Sequence, residues 1–120
     1  MTVISNKQTE EYYFDSEGCF IAEWSNSDAD RELSIARARV APGVTTAWHR
    51  LNGTTERYCI LSGTGVVELG EGKPTKVAAG DVVIIPPMQR QRIFNDGGED
   101  LVFLAICTPP FEPENYIHGA

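Results

Sequence analysis

Residues 42–70 read PGVTTAWHRLNGTTERYCILSGTGVVELG, and the fold depends on how this stretch divides. Asn52-Gly53 is a strong turn dipeptide, and Ser62-Gly63-Thr64-Gly65 is a second turn. Between and around them stand strand-like runs over residues 45–51, 56–61 and 65–69. Alternation puts Thr45, Ala47, His49 and Leu51 on one face, with Trp48 and Arg50 opposite. In the next run Glu56, Tyr58 and Ile60 share a face, and Arg57, Cys59 and Leu61 take the other. An imidazole and a carboxylate on neighbouring strands can be aimed at one point. That is the minimum for a metal site or an acid/base pair. The plainer alternative is a hydrogen-bonded structural histidine.

Working outward, the same punctuation recurs. Candidate strands cover residues 19–24, 33–40, 81–85, 90–94 and 101–107, with shorter runs at 11–14 and 75–77. Residues 25–30, SNSDAD, read as a polar loop. The DVVII run at 81–85 is nearly continuous in apolar character, as in a strand covered on both sides. No convincing helix is present. Short strands with turn signals at about 8–12-residue spacing indicate an all-β sandwich or barrel. The last ten residues, FEPENYIHGA, read as an extension in which His118 is a solvated tail residue.

The chain has 120 residues, of which 42% are apolar, which predicts one folded domain over 1–120 with its core at about 19–108. The formal net charge of −7 makes nucleic acid and anionic membranes poor partners. No apolar run approaches the ~20 residues that cross a bilayer, and residues 1–14 lack a signal-peptide pattern, so the cytoplasm is expected. Cys19, Cys59 and Cys107 form no CxxC pair and read as thiols in a reducing compartment.

Two blocks resemble the cupin superfamily. Its first motif is a glycine, five residues, His-x-His, three or four residues, a glutamate, six residues and a glycine. Here Gly43 precedes His49 by that interval, and Glu56 precedes Gly63. Its second motif is matched in spacing by Gly80, Pro86, Gln91 and Asn95, with Met88 where the motif has glycine. The resemblance covers about half the chain. It implies a double-stranded β-helix, a small jelly-roll barrel open at one mouth.

Metal-binding cupins usually supply three histidines and a glutamate. The corresponding positions here are His49, Leu51, Glu56 and Gln91, so the resemblance implies at most a weakly held Zn, Mn, Ni or Fe ion on His49, Glu56 and Gln91. Without a metal, the same three residues and Tyr58 would line a pocket for a polar small molecule. No nucleophile triad is visible, and no catalytic residue is assigned. Three functions follow: a small-molecule-binding barrel, a metal-dependent isomerase or dioxygenase, and a non-catalytic sensor or assembly module. Arg37 and Arg39 would select anions if they pointed inward, but the solvated reading is preferred. Trp48, Cys59 and Leu61 face away from the site, which suggests that a homodimer partner or the Tyr12-Tyr13-Phe14 segment covers them.

Overall fold

The computed structural model describes all of residues 1–120. It contains eleven strands and no α-helix. In chain order they are β1 (Tyr12–Phe14), β2 (Cys19–Ser27), β3 (Asp30–Val40), β4 (His49–Leu51), β5 (Thr55–Ser62) and β6 (Thr64–Leu69). Then come β7 (Thr75–Ala78), β8 (Val82–Ile85), β9 (Gln91–Phe94), β10 (Leu101–Thr108) and β11 (Tyr116–His118). A single 3-10 turn, Pro113–Asn115, precedes the last strand. One sheet has the order β1-β2-β3-β10-β5-β8 and the other β11-β4-β9-β6-β7. Every pairing is antiparallel, which makes the molecule a jelly-roll barrel, a double-stranded β-helix, as the sequence implied.

The apolar run LVFLAIC becomes β10, paired on both sides, with β3 and β5 as neighbours. Leu101, Phe103 and Cys107 point inward and are buried, as period-two alternation requires. Leu101 and Phe103 join Val67, Val77 and Ile93 from the second sheet in one cluster with Val40, Tyr58, Ile60 and Ile85.

The motif residues do backbone work. Gly63 has φ +83, and a Cβ there would sit 2.6 Å from the Asp100 carbonyl oxygen, so only glycine fits. Asn95 is fully buried. Its amide donates to the carbonyls of Val40 and Glu99, and its carbonyl accepts from the Gly97 N–H. Met88 keeps the left-handed backbone that the family motif assigns to glycine, with φ 64.

Several expectations need correction. The strand expected over 45–51 is reduced to His49–Leu51. Upstream, the Thr46 hydroxyl accepts from the Ile93 N–H at 2.9 Å, replacing part of the ladder with a side chain. Thr46 is therefore buried and Thr45 exposed, the reverse of simple alternation. Most of residues 25–30 are strand, not loop: β2 and β3 extend as a long hairpin with two register shifts. The run at 81–85 is covered on one side only, because β8 is a sheet edge. Val83 and Ile85 are buried while Val82 and Ile84 are exposed. The C-terminal extension is not a loose tail, since β11 pairs with β4. Trp48 is half-buried, and charged groups lie over its ring. The Arg90 and Arg92 guanidinium groups each lie 4.3 Å from its ring centroid.

The strained turn at Met88 yields a prediction. Its side chain is 46% exposed, so little packing is lost on truncation. Met88→Gly relieves a left-handed strain of about 1–2 kcal/mol, partly offset by glycine's unfolded-state entropy. Urea unfolding should show a net gain of up to about 1 kcal/mol, with an unchanged m value.

Candidate functional site

A cavity of about 60 Å³ opens at one mouth of the barrel, between the two sheets. His49 and Leu51 reach it from β4, Glu56 and Tyr58 from β5, and Cys107 from β10. β2, β3 and the rest of β10 add further wall, and the chain's ends contribute Phe14 of β1, Glu17 of the following turn, and Phe111 and Tyr116 of the C-terminal segment.

His49 is 1% exposed. Its Nδ1 lies 2.8 Å from the Ala47 carbonyl oxygen. A carbonyl only accepts, so Nδ1 donates, and Nε2 faces the cavity. Nε2 is 3.4 Å from Oε1 of Glu17. The Ala47 N–H in turn donates to the Glu17 backbone carbonyl at 2.9 Å, so one residue tethers both partners. The Tyr116 ring stacks on the imidazole at 5.1 Å, and Phe14 packs edge-on against Tyr116 at 5.2 Å.

Glu56 is 8% exposed, and its Oε1 has no hydrogen-bond partner. Its Oε2 lies 3.8 Å from the Cys107 sulfur. Burial, reinforced by the neighbouring Glu17 charge, pushes the Glu56 carboxyl up to about 7. His49, the Gln91 amide and the Cys107 thiol pull in the other direction. Burial also pushes the phenols of Tyr58 and Tyr116 upward, so both stay protonated donors.

Of the four residues expected at the site, His49, Glu56 and Tyr58 line the one cavity. Gln91 lies behind it. It is fully buried, its carbonyl accepts from the Tyr58 hydroxyl at 2.5 Å, and its Nε2 has no partner. Arg37 and Arg39 do not enter. They hold Glu11 on the outer face, and Arg39 also reaches Asp100.

The donors present do not fit the metal centre of the family. Leu51 is buried at the site with nothing to coordinate. The one oxygen Gln91 offers is taken by Tyr58. No three His, Cys, Asp or Glu side chains are arranged to hold an ion.

Sequence reasoning missed Glu17 and Tyr116. Glu17 reads as part of the turn at 15–18, and Tyr116 as part of a tail. Neither shows periodicity, and each reaches the site only through tertiary contacts, so no local signal marks them.

The description "Cupin domain" matches residues 36–107 of this chain. An uncharacterized protein of Methanocaldococcus jannaschii is 31% identical over 105 residues, covering 86% of this chain and 83% of its own. The oxalate-binding protein of Thermotoga maritima is 38% identical over 72 residues, 60% of this chain and 59% of that one. Among solved structures, Streptomyces Pac13 with uridine superposes with a TM-score of 0.81 at 18% identity, over 100% of this chain and 92% of that one. Pac13 is a nucleoside dehydratase.

The raised carboxyl predicts a pH effect on stability. The folded-state value of Glu56 lies above the unfolded one, so the folded chain binds the extra proton between about pH 4.5 and 7. This stabilisation is complete below the unfolded value and is lost as pH rises through about 7. The wild type should lose about 2–3 kcal/mol more than Glu56→Gln between pH ~5 and ~8 in urea unfolding. Equal losses in the two proteins would show that Glu56 titrates normally.

Proposed function

This chain belongs to the cupin family, and we propose that its barrel cavity binds a small polar molecule and exchanges protons with it, with no metal required. The observation that carries this reading is Glu56, a buried carboxyl with a free oxygen, poised near neutrality in the cavity that His49 also lines. At neutral pH both forms of Glu56 are populated, the condition in which a side chain can give and take a proton in one cycle. His49 is oriented for the same work, with Nδ1 fixed on Ala47 and Glu17 beside Nε2.

Two such groups in one mostly apolar cavity suit isomerisation or loss of water. In the second case one group takes a proton from carbon. The C–O bond breaks as the C=C bond forms, and the other group's proton leaves with the oxygen as water. Pac13's activity as a dehydratase lends the reading support at the level of fold. A metal-dependent reaction is the alternative that family membership suggests, and a pure binding role is the next.

The outward face of β8 supports a homodimer. Val82 and Ile84 are 59% and 65% exposed on an edge strand whose backbone is unpaired on one side, and Leu61 of the neighbouring β5 is 44% exposed. A second copy, related by a two-fold axis, covers both the side chains and the edge. The three cysteines are free, which suits a reducing compartment such as the cytoplasm. No helix is long and apolar enough to cross a membrane.

Two measurements test this. Protein treated with EDTA is incubated in deuterated water with a panel of small hydroxy-carbonyl compounds. Deuterium should enter at carbon for a member of the panel, and His49→Gln and Glu56→Gln should slow it by at least about a hundredfold. Exchange that vanishes with EDTA and returns with added metal supports the metal-dependent alternative instead; no exchange leaves a binding barrel. For assembly, light scattering at micromolar concentration should give a dimer, and Ile84→Glu a monomer of unchanged circular dichroism. A wild-type monomer sinks the pairing.

A further inference from the structure

Apart from His49, every charged residue that lines the barrel cavity is acidic. Glu17 and Glu56 stand inside and Glu23 at the mouth, and no lysine or arginine lines it. Arg50 of β4, whose Nε is buried without a partner, does not line the cavity, and other basic side chains of the surrounding strands are paired elsewhere. Arg37 and Arg39 hold Glu11, Arg57 holds the Thr108 hydroxyl, and Arg92 holds Glu68. Glu17 has His49 as its partner. Glu56 has no cation of its own, and its Oε1 is buried without a hydrogen bond. Most of the remaining lining is apolar, with the rings of Phe14, Tyr58, Phe103, Phe111 and Tyr116 prominent.

We infer that the molecule this cavity takes is a small organic ammonium ion, with an N–H on the free Glu56 oxygen and its carbon body against the aromatic wall. The inference rests on the proposed binding role of the same cavity and narrows its ligand class. A carboxylate without a counter-charge is unfavourable in a dry site, and an incoming ammonium supplies that charge along with a charge-assisted hydrogen bond. Ring faces attract cations, most strongly where water is excluded. A carboxylate ligand such as oxalate meets Glu17 and Glu56 with no arginine to offset them, so the ligand of the Thermotoga relative does not transfer. The space is small: about 60 Å³ holds about four water-sized groups on the scale where one water needs ~15 Å³. The buried part of the ligand therefore has about four non-hydrogen atoms, and anything longer extends through the mouth.

Binding is linked to protonation. The groups facing Glu56 are Glu17 from the β1–β2 turn, His49 from β4, Gln91 from β9, Cys19 from β2, Cys107 from β10 and Tyr116 from β11. Tyr58 lies on the same strand. Glu56 is the member of this group held near neutrality, so an arriving ammonium displaces its proton. Affinity then rises as pH climbs through about 7.

The test is calorimetric titration of the full chain, stripped with EDTA, with propan-1-ammonium chloride, propan-1-ol and sodium propanoate at pH about 6 and about 8.5. The ammonium should bind at least about tenfold tighter than the alcohol, and about tenfold tighter at the higher pH, because one unit below its midpoint Glu56 is about one-tenth ionised. Glu56→Gln should lose at least about tenfold for the ammonium and little for the alcohol. Phe14→Leu, which leaves the carboxylates in place, should weaken the ammonium more than the alcohol. Circular dichroism establishes that both variants fold. The inference is overturned if the alcohol or propanoate binds as tightly as the ammonium, if the ammonium shows no pH dependence, or if none of the three binds at millimolar concentration. The acid/base reading has its own readout in deuterium exchange, so exchange without ammonium binding removes only this inference, and loss of both removes the two together.

Discussion

A carboxyl group buried against apolar strands is the constraint around which this barrel's chemistry is arranged. Glu56 sits on β5, a strand paired on both sides, and its backbone position is fixed opposite Cys107 on one neighbour and Ile85 on the other. It cannot swing to water. The barrel can accommodate the group by keeping it protonated, by placing donors beside it, or by leaving room for a ligand that completes it. The first shows in the raised titration point, the second is limited to the Cys107 thiol and the Gln91 amide and leaves Oε1 without a hydrogen bond, and the third is the open cavity. The cavity's proposed role follows from that third route.

The ends of the chain matter more to this site than the family core does. The matched region covers residues 36–107, yet Phe14, Glu17, Phe111 and Tyr116 all lie outside it. β1 and the turn after it supply the partner of the histidine. β11 adds to the edge of the second sheet at β4 and lays Tyr116 on the imidazole. A cupin core carrying different terminal segments would keep His49 and Glu56 but lose the carboxylate and the stacked ring that orient and enclose them. Terminal segments are thus a route by which one barrel can change its ligand without rebuilding its core.

The departures from the family's ligand set form a consistent pattern. Leu51 removes one donor outright, and Gln91 turns another into a hydrogen-bond acceptor for Tyr58. Tyr58 is thereby locked, its ring against Phe103 at 4.3 Å, and the place of a coordinating side chain is taken by a packed wall. The remaining polar groups are an imidazole and two carboxylates, a set suited to moving protons more than to holding an ion.

The sequence by itself determined the architecture. Alternation in residues 33–40 and 56–61, the continuous run of β10, and the turns at Asn52-Gly53 and Gly63 are local features that indicate an all-β sandwich or barrel, and the resemblance of the two motif blocks to cupins implied the jelly roll. Alternation put Glu56 and Tyr58 on one face, and the cupin resemblance aimed that face and the one bearing His49 toward the interior. The pattern erred where a side chain replaced the ladder, at Thr46, and where a fully apolar run proved to be an edge, at 82–85. Only the tertiary structure decided that Gln91 serves Tyr58, that arginines cover Trp48, and that Glu17 and Tyr116 meet at His49. The reason is physical. Strand periodicity is set by neighbours two residues apart, whereas the pairing of Glu17 with His49, and of His49 with Tyr116, joins segments that share no periodicity and touch only once the barrel has closed.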